Sequence, residues 1–187
     1  MYKVDISRVW TRRECSELID WFNGCDQKKH VDVGNDVIYS RHGTGDGSTI
    51  DTDRYECDYT LTYTLDGEQT PFIRAIKNII AQCMRTDVVF DWASLVKTYP
   101  GCRMATHIDR ATIDTDNAVA TQRVYTCILY LNDNYEGGCL IVPPLLRYKP
   151  VAGSMVQMAG SDNLHGVEKI EKAPRYTLSV WFTINDI

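Results

Sequence analysis

Glycine and proline set off short runs in the second half of this chain that read as strands. Gly101, Gly137-Gly138, Pro143-Pro144, Pro150 and Gly153 punctuate it. Such residues mark turns, because glycine reaches positive φ without a steric cost and proline has no amide proton to give a ladder. The runs near 87–97, 103–107, 124–131, 139–142, 154–158 and 175–183 read as strands. Upstream, YECDYTLTYTL (55–65) alternates Tyr55, Cys57, Tyr59, Leu61, Tyr63 and Leu65 with polar residues, the pattern of a strand buried on one face. Two helices are also legible. Thr11 to Glu14 fits a capping box, Cys15, Leu18, Ile19 and Phe22 follow at helical spacing, and Gly24 ends the run. Thr70-Pro71 opens the second, with Thr70 as N-cap and an apolar face of Phe72, Ile73, Ile76, Ile79, Ile80 and Cys83. Two helices followed by many short strands predict helices packed on one face of a β-sandwich or jelly roll, an α+β fold that is mainly β.

Size and charge narrow the function. At 187 residues the chain is expected to form one domain, 1–187, with room for a sizeable core. The net charge is −5 and no Lys/Arg stripe stands out, so a nucleic-acid partner is not expected: phosphate contacts need a clustered positive field. No apolar run approaches the roughly 20 residues of a membrane helix, and the first residues lack the basic start and apolar run of a secretory leader. No membrane partner is therefore expected. The seven cysteines are odd in number and contain no C-x-x-C pair, which predicts free thiols in a reducing cytoplasm. Polar stretches at 34–54 and 110–122 read as long loops, either binding lids or solvated surface.

The chemistry-bearing residues gather around YPGCRMATHIDR (99–110). His107 and Asp109 are two residues apart at a strand end, so both side chains can point the same way. With 18 Asp in the chain, that spacing alone carries little weight. His165, in SDNLHGVEKI, supplies a second imidazole, expected to arrive from a strand across the barrel. Two imidazoles and a carboxylate make the facial triad of non-haem Fe(II) oxygenases, which leaves metal positions open for co-substrate and O2. Arg175 opens the apolar strand RYTLSVWF. There it either faces solvent or lies buried, and a buried guanidinium calls for a carboxylate partner.

The ordered pieces TYPG (98–101), HID (107–109), TCILYLND (126–133), GG (137–138), KPVAG (149–153), LHGV (164–167) and RYTLSVWF (175–182) resemble a known family. It is that of the 2-oxoglutarate- and Fe(II)-dependent dioxygenases of the prolyl 4-hydroxylase type, and the likeness covers roughly residues 92–184. The resemblance implies a double-stranded β-helix, Fe(II) held by His107, Asp109 and His165, and 2-oxoglutarate held by Arg175, with Tyr130, Tyr99 and Thr177 beside it. It also implies O2 as a reactant and admits ascorbate as a reductant. Arg175 in place of lysine points toward the oxygen-sensing prolyl hydroxylases and their bacterial relatives. The carboxylate of Asp109 disfavours a halogenase, which lacks that ligand. Arg103, Arg110 and Arg123 flank the site in sequence as candidate substrate contacts. Trp92 and Trp181 read as core. The expected activity is hydroxylation of prolyl residues in a peptide or protein. The alternatives are hydroxylation of a free amino acid or small metabolite, and a jelly-roll binding protein without catalysis.

Overall fold

The computed structural model describes residues 4–24, 37–40, 60–63, 71–101, 103–109, 123–159 and 163–184. In chain order the elements are β1 (Val4–Arg8), α1 (Arg12–Gly24), β2 (Val37–Ser40), β3 (Thr60–Tyr63), α2 (Pro71–Ala81), β4 (Val88–Thr98) and β5 (Met104–His107). There follow β6 (Arg123–Tyr130), β7 (Glu136–Gly137), β8 (Leu140–Val142), β9 (Leu146–Tyr148), β10 (Ser154–Ala159), β11 (His165–Val167), β12 (Ile170–Lys172) and β13 (Arg175–Ile184). A five-stranded sheet runs β1-β10-β6-β13-β4, and a four-stranded sheet runs β5-β11-β8-β9. Two short ribbons, β12-β7 and β2-β3, complete the set among the described residues.

The expected order needs one correction. The helices do not simply precede the strands: β1 comes before α1, and β2 and β3 lie between the helices. β1 pairs with β10, so the start of the chain is an edge strand of the five-stranded sheet. Of the alternating run at 55–65 only Thr60–Tyr63 is described, as β3. Thr70, Cys25, Cys57, Cys102, the loop at 110–122 and most of the loop at 34–54 lie outside the described residues.

The capping box forms as the sequence predicts. The amide and hydroxyl of Thr11 each donate to Glu14 Oε2 at 2.7 Å, and the Glu14 amide donates to Thr11 Oγ1 at 3.3 Å. Those bonds, the backbone one first, hold the Glu14 carboxyl below its usual range. The helix then buries Cys15, Leu18 and Phe22, while α2 buries Phe72, Ile73, Ala75, Ile76 and Ile79. Cys83 lies past the end of α2 but still packs against the same apolar cluster.

Period-2 alternation in the five-stranded sheet sorts side chains into two clusters. Tyr125, Cys127 and Leu129 of β6, with Tyr176, Leu178, Val180 and Phe182 of β13, join the buried faces of both helices. Ile128 and Tyr130 of β6, with Val156 and Met158 of β10, join Leu140 and Val142 of β8, which belongs to the four-stranded sheet. This second layer does not stay apolar along its whole length but turns polar locally. It does so at one end, where Arg175 and Thr177 share the side of Tyr130: Thr177 is the Cα partner of Tyr130 across β13 and β6.

Candidate metal centre

His107 closes β5, Asp109 lies two residues beyond it, and His165 opens β11. The expectation that His165 crosses from the opposite side of the barrel is corrected. β11 and β5 are antiparallel neighbours, and His165 is the direct Cα partner of His107. One cross-strand pair therefore supplies both imidazoles, and their ring centroids are 4.5 Å apart. Asp109 Oδ1 lies 3.5 Å from the Nε2 atoms of His107 and of His165. A ligand atom from each of the three lies within 4.8 Å of those of the other two. Bonds of roughly 2.1 Å at right angles around one ion would bring neighbouring ligand atoms to about 3 Å, so the three converge as a facial triad requires.

The surroundings fix the orientation of two ligands. Thr126 Oγ1 on β6 donates to Asp109 Oδ2 at 2.6 Å, which leaves Oδ1 toward the histidines. The ring Nδ1 of His165 lies 3.0 Å from the carbonyl oxygen of Asn163, so Nδ1 carries the proton and Nε2 is free to ligate. Burial by itself raises the Asp109 carboxyl. Hydrogen bonding from His107, the charge of His165 and the Thr126 hydroxyl outweigh it and hold the group below the usual carboxylate range. Burial lowers His165, which favours the neutral imidazole that a metal needs. The His107 side chain is 38% exposed against 5% for His165, so the site opens on the His107 side.

Deeper in, Arg175 is 5% exposed. Its guanidinium carbon sits 5.0 Å from the ring centroid of Tyr130. The charge of Arg175 reaches the hydroxyls of both Tyr130 and Tyr135. Yet Arg175 Nε, Tyr130 Oη and Tyr135 Oη are all buried without a hydrogen-bond partner among the described residues. Burial pushes the Tyr130 hydroxyl up to about 12, and Tyr135 is raised for the same reason, so both are neutral donors. A buried cation and two unused hydroxyls form a receptor for a carboxylate. Thr177 is buried beside them, opposite Tyr130.

The other sequence candidates fall elsewhere. Tyr99 follows β4, half-buried, with the Lys97 ammonium 5.2 Å from its ring centroid. Arg123 is committed to an internal ion pair, its Nε 2.6 Å from Asp91 Oδ2, and its guanidinium lies 5.2 Å from the centroid of Trp181. Arg103 is exposed, and Arg110 lies outside the described residues. Tyr135 was not legible as a site residue: its spacing from Asn132 carries no signal of a side chain folding back toward Arg175.

Residues 93–183 match the 2OG-Fe(II) oxygenase superfamily model, and this matched segment holds the triad and the arginine pocket. Within it, the likeness is to prolyl hydroxylases. Over 74 residues the chain is 34% identical to prolyl 3-hydroxylase 2 of Homo sapiens, a match covering 36% of this chain and 10% of that protein. The chain thus spans about a tenth of the length of this relative. Among solved structures, a prolyl-4-hydroxylase of Pseudomonas putida superposes with a TM-score of 0.68 at 14% identity, covering 99% of this chain and 94% of that one. A prolyl hydroxylase of Trichoplax adhaerens, in complex with a hypoxia inducible factor oxygen degradation domain peptide fragment, superposes at 0.64 with 17% identity, covering 97% and 83%. At these identities the two structures show a shared fold. The family's cofactors, Fe(II) and 2-oxoglutarate, match the donor set: two imidazoles and a carboxylate for the metal, and a buried cation beside two buried hydroxyls for the acid.

Proposed function

We propose that this chain is a 2-oxoglutarate- and Fe(II)-dependent hydroxylase of prolyl residues in a peptide or protein. We also infer that residues 1–187 form one catalytic domain, with the two main sheets as the halves of a double-stranded β-helix and both helices packed on the larger. The observation that carries the reading is the pairing of a His-Asp-His cluster with a buried Arg175 whose Nε has no hydrogen-bond partner among the described residues, beside the buried hydroxyls of Tyr130 and Tyr135. Relatives and structural neighbours that are prolyl hydroxylases support the substrate class. Four described cysteines are free thiols, which supports a cytoplasmic setting. No helix among the described residues is long and apolar enough to cross a membrane.

His107, Asp109 and His165 would hold Fe(II), with Thr126 and the Asn163 carbonyl orienting Asp109 and His165. Arg175 would take the distal carboxylate of 2-oxoglutarate, with Tyr130, Tyr135 and Thr177 donating around it. Tyr99 stands one residue beyond Thr98, the strand partner of Arg175, and is our candidate for the pocket wall. Bound there, iron and 2-oxoglutarate would supply the oxidation, in which O2 and the keto acid yield succinate, CO2 and a hydroxylated C–H carbon. The chain's own part is to ligate, to fix the co-substrate at its far end, and to keep water from the dry side of the pocket. Substrate would approach on the open side of His107, where Arg103 is a candidate contact.

Anaerobic Fe(II) plus 2-oxoglutarate should give a weak visible charge-transfer band that His107→Ala abolishes. Under air, a proline-containing peptide should gain one oxygen atom as succinate appears. Absence of both band and succinate would remove the enzyme reading. Succinate formed only with free amino acids would remove the peptide reading.

A further inference from the structure

On the helix side of β6, away from the metal centre, two thiols meet. Cys127 lies on β6 beside Thr126, so their side chains leave opposite faces of the strand: Thr126 bonds Asp109, while Cys127 points into the helix-side core. Cys83, just beyond α2, packs against that same core cluster, which contains Cys127. The contact is clamped by one side chain. Gln157 Oε1 on β10 accepts from the Met84 amide at 3.1 Å and lies 3.6 Å from Cys127 Sγ, while Gln157 Nε2 donates to the Gln82 carbonyl at 3.4 Å. Gln157 is also the direct Cα partner of Cys127. The residues flanking Cys83 are thus pinned over Cys127. Both thiols are free, Cys127 is fully buried and Cys83 is half-buried, so one is reachable from solvent and the other is not.

We propose that Cys83 and Cys127 are a modification site: a peroxide oxidises Cys83, and Cys127 resolves it as a reversible intramolecular disulfide. The Cys83 thiolate attacks one peroxide oxygen, the O–O bond breaks, and hydroxide leaves and is protonated to water. Cys127 then loses its proton and its sulfur attacks Cys83. The S–S bond forms, the S–O bond breaks, and the second hydroxide takes up the proton as water. Two thiols and one peroxide become one disulfide and two waters; the sulfurs lose two electrons and the peroxide oxygens gain them. The division of labour follows from the surroundings. The hydrogen bond from Cys127, with further help from the backbone and charge of Arg85, brings the Cys83 thiol down to about 7 against the opposing effect of burial, so a thiolate is present near neutrality. Cys127 is raised, first by that same hydrogen bond and then by burial, and stays protonated while the Cys83 thiolate persists. Oxidation of Cys83 removes the thiolate and with it the leading cause of that rise, while burial continues to raise Cys127.

The test uses the full chain with a metal chelator, exposed to modest hydrogen peroxide, then alkylated and mapped as peptides without reduction. The expected result is a cross-link joining the Cys83 and Cys127 peptides, lost on dithiothreitol treatment. Mapping by peptide matters because Met84, exposed next door, can take up oxygen independently. In Cys83→Ser, Cys127 should remain unoxidised at the same peroxide dose. The proposal is overturned if wild-type Cys83 ends as a sulfinic or sulfonic acid, if it links to another cysteine, or if Cys127 oxidises without Cys83. The wild-type map alone decides the question, whether or not a Cys127 variant folds.

Discussion

Arg175 offers the sharpest single test of the pocket. The perturbation is Arg175→Met, which keeps length and apolar bulk while removing the charge. In wild type Arg175 is 5% exposed, with Nε unpartnered among the described residues, so a bound carboxylate would be its ionic partner. Truncating one member of a buried, hydrogen-bonded charge pair costs about 2–5 kcal/mol in binding, or roughly 30- to 4,000-fold in Kd. Stability should move the other way. Without ligand, Arg175 is a buried cation with no ionic partner among the described residues, and replacing such a group by an apolar one is neutral or stabilising. The metal-free variant should therefore melt at or above the wild-type temperature, unlike an ordinary core truncation. Conversely, 2-oxoglutarate at about 100 times Kd should stabilise the wild-type iron complex by about 2.7 kcal/mol, a shift of roughly 5–10 °C for a chain of this size. Anaerobic titration of the charge-transfer band gives Kd, and calorimetry gives the melting shift. 2-Oxobutanoate, which has no distal carboxylate, should bind both proteins alike. Affinity of the variant for 2-oxoglutarate within threefold of wild type would refute the argument, as would a fall of several degrees in the metal-free melt.

Four further outcomes are expected. Tyr135→Phe should weaken 2-oxoglutarate by roughly 10- to 150-fold, the worth of one hydrogen bond to a charged group, and leave 2-oxobutanoate unchanged in the same titration. Thr126→Val frees the carboxylate that Thr126 now holds at 2.6 Å; loss of such an orienting contact should cost roughly 10- to 100-fold in metal affinity, read by equilibrium dialysis. Gly153 has φ +83°, and a Cβ there would stand 2.0 Å from the Trp10 carbonyl oxygen. Gly153→Ala should therefore destabilise by at least about 2 kcal/mol, measured by denaturant unfolding. Asp133 accepts both Arg12 Nη atoms, at 2.7 and 2.6 Å, and the Ala152 amide at 3.1 Å. The Arg12 hydrogen bond leads the contacts that hold its carboxyl below the usual 3.8. A depressed carboxylate contributes stability above its unfolded pKa and loses it as pH falls through the folded one. Wild type should thus melt above Asp133→Asn at neutral pH, and the two should converge as pH falls below 3.8 and through the depressed folded-state value.

Strong local patterns were readable because they depend on near neighbours. The Thr11–Glu14 box and the Gly24 stop predicted α1 to within a residue at its start. The long apolar runs gave β4, β6, β10 and β13 within a residue or two at each end. β7, β9, β11 and β12 are two or three residues long, too short for a period to register. They exist because a partner strand fixes them, and that information is not local. The same limit explains the misplaced route of His165: the sequence singled out the residue but not the strand beside it. Tyr135 illustrates the point once more, since only the folded chain shows that its hydroxyl is buried and idle. Arg123, conversely, looked available in sequence and is held by Asp91.

The pairing of His165 with His107 makes the metal centre a gauge of strand alignment. β11 is three residues long, and its register already shifts between His165 and Val167. A slip of one position would turn His165 to the opposite face and leave a two-ligand site. Metal capture would therefore reward one alignment of two very short strands over every neighbouring one. A bound ion would in that sense be an assembly checkpoint as well as a reagent: a chain that held it tightly would already have docked β11 correctly against β5.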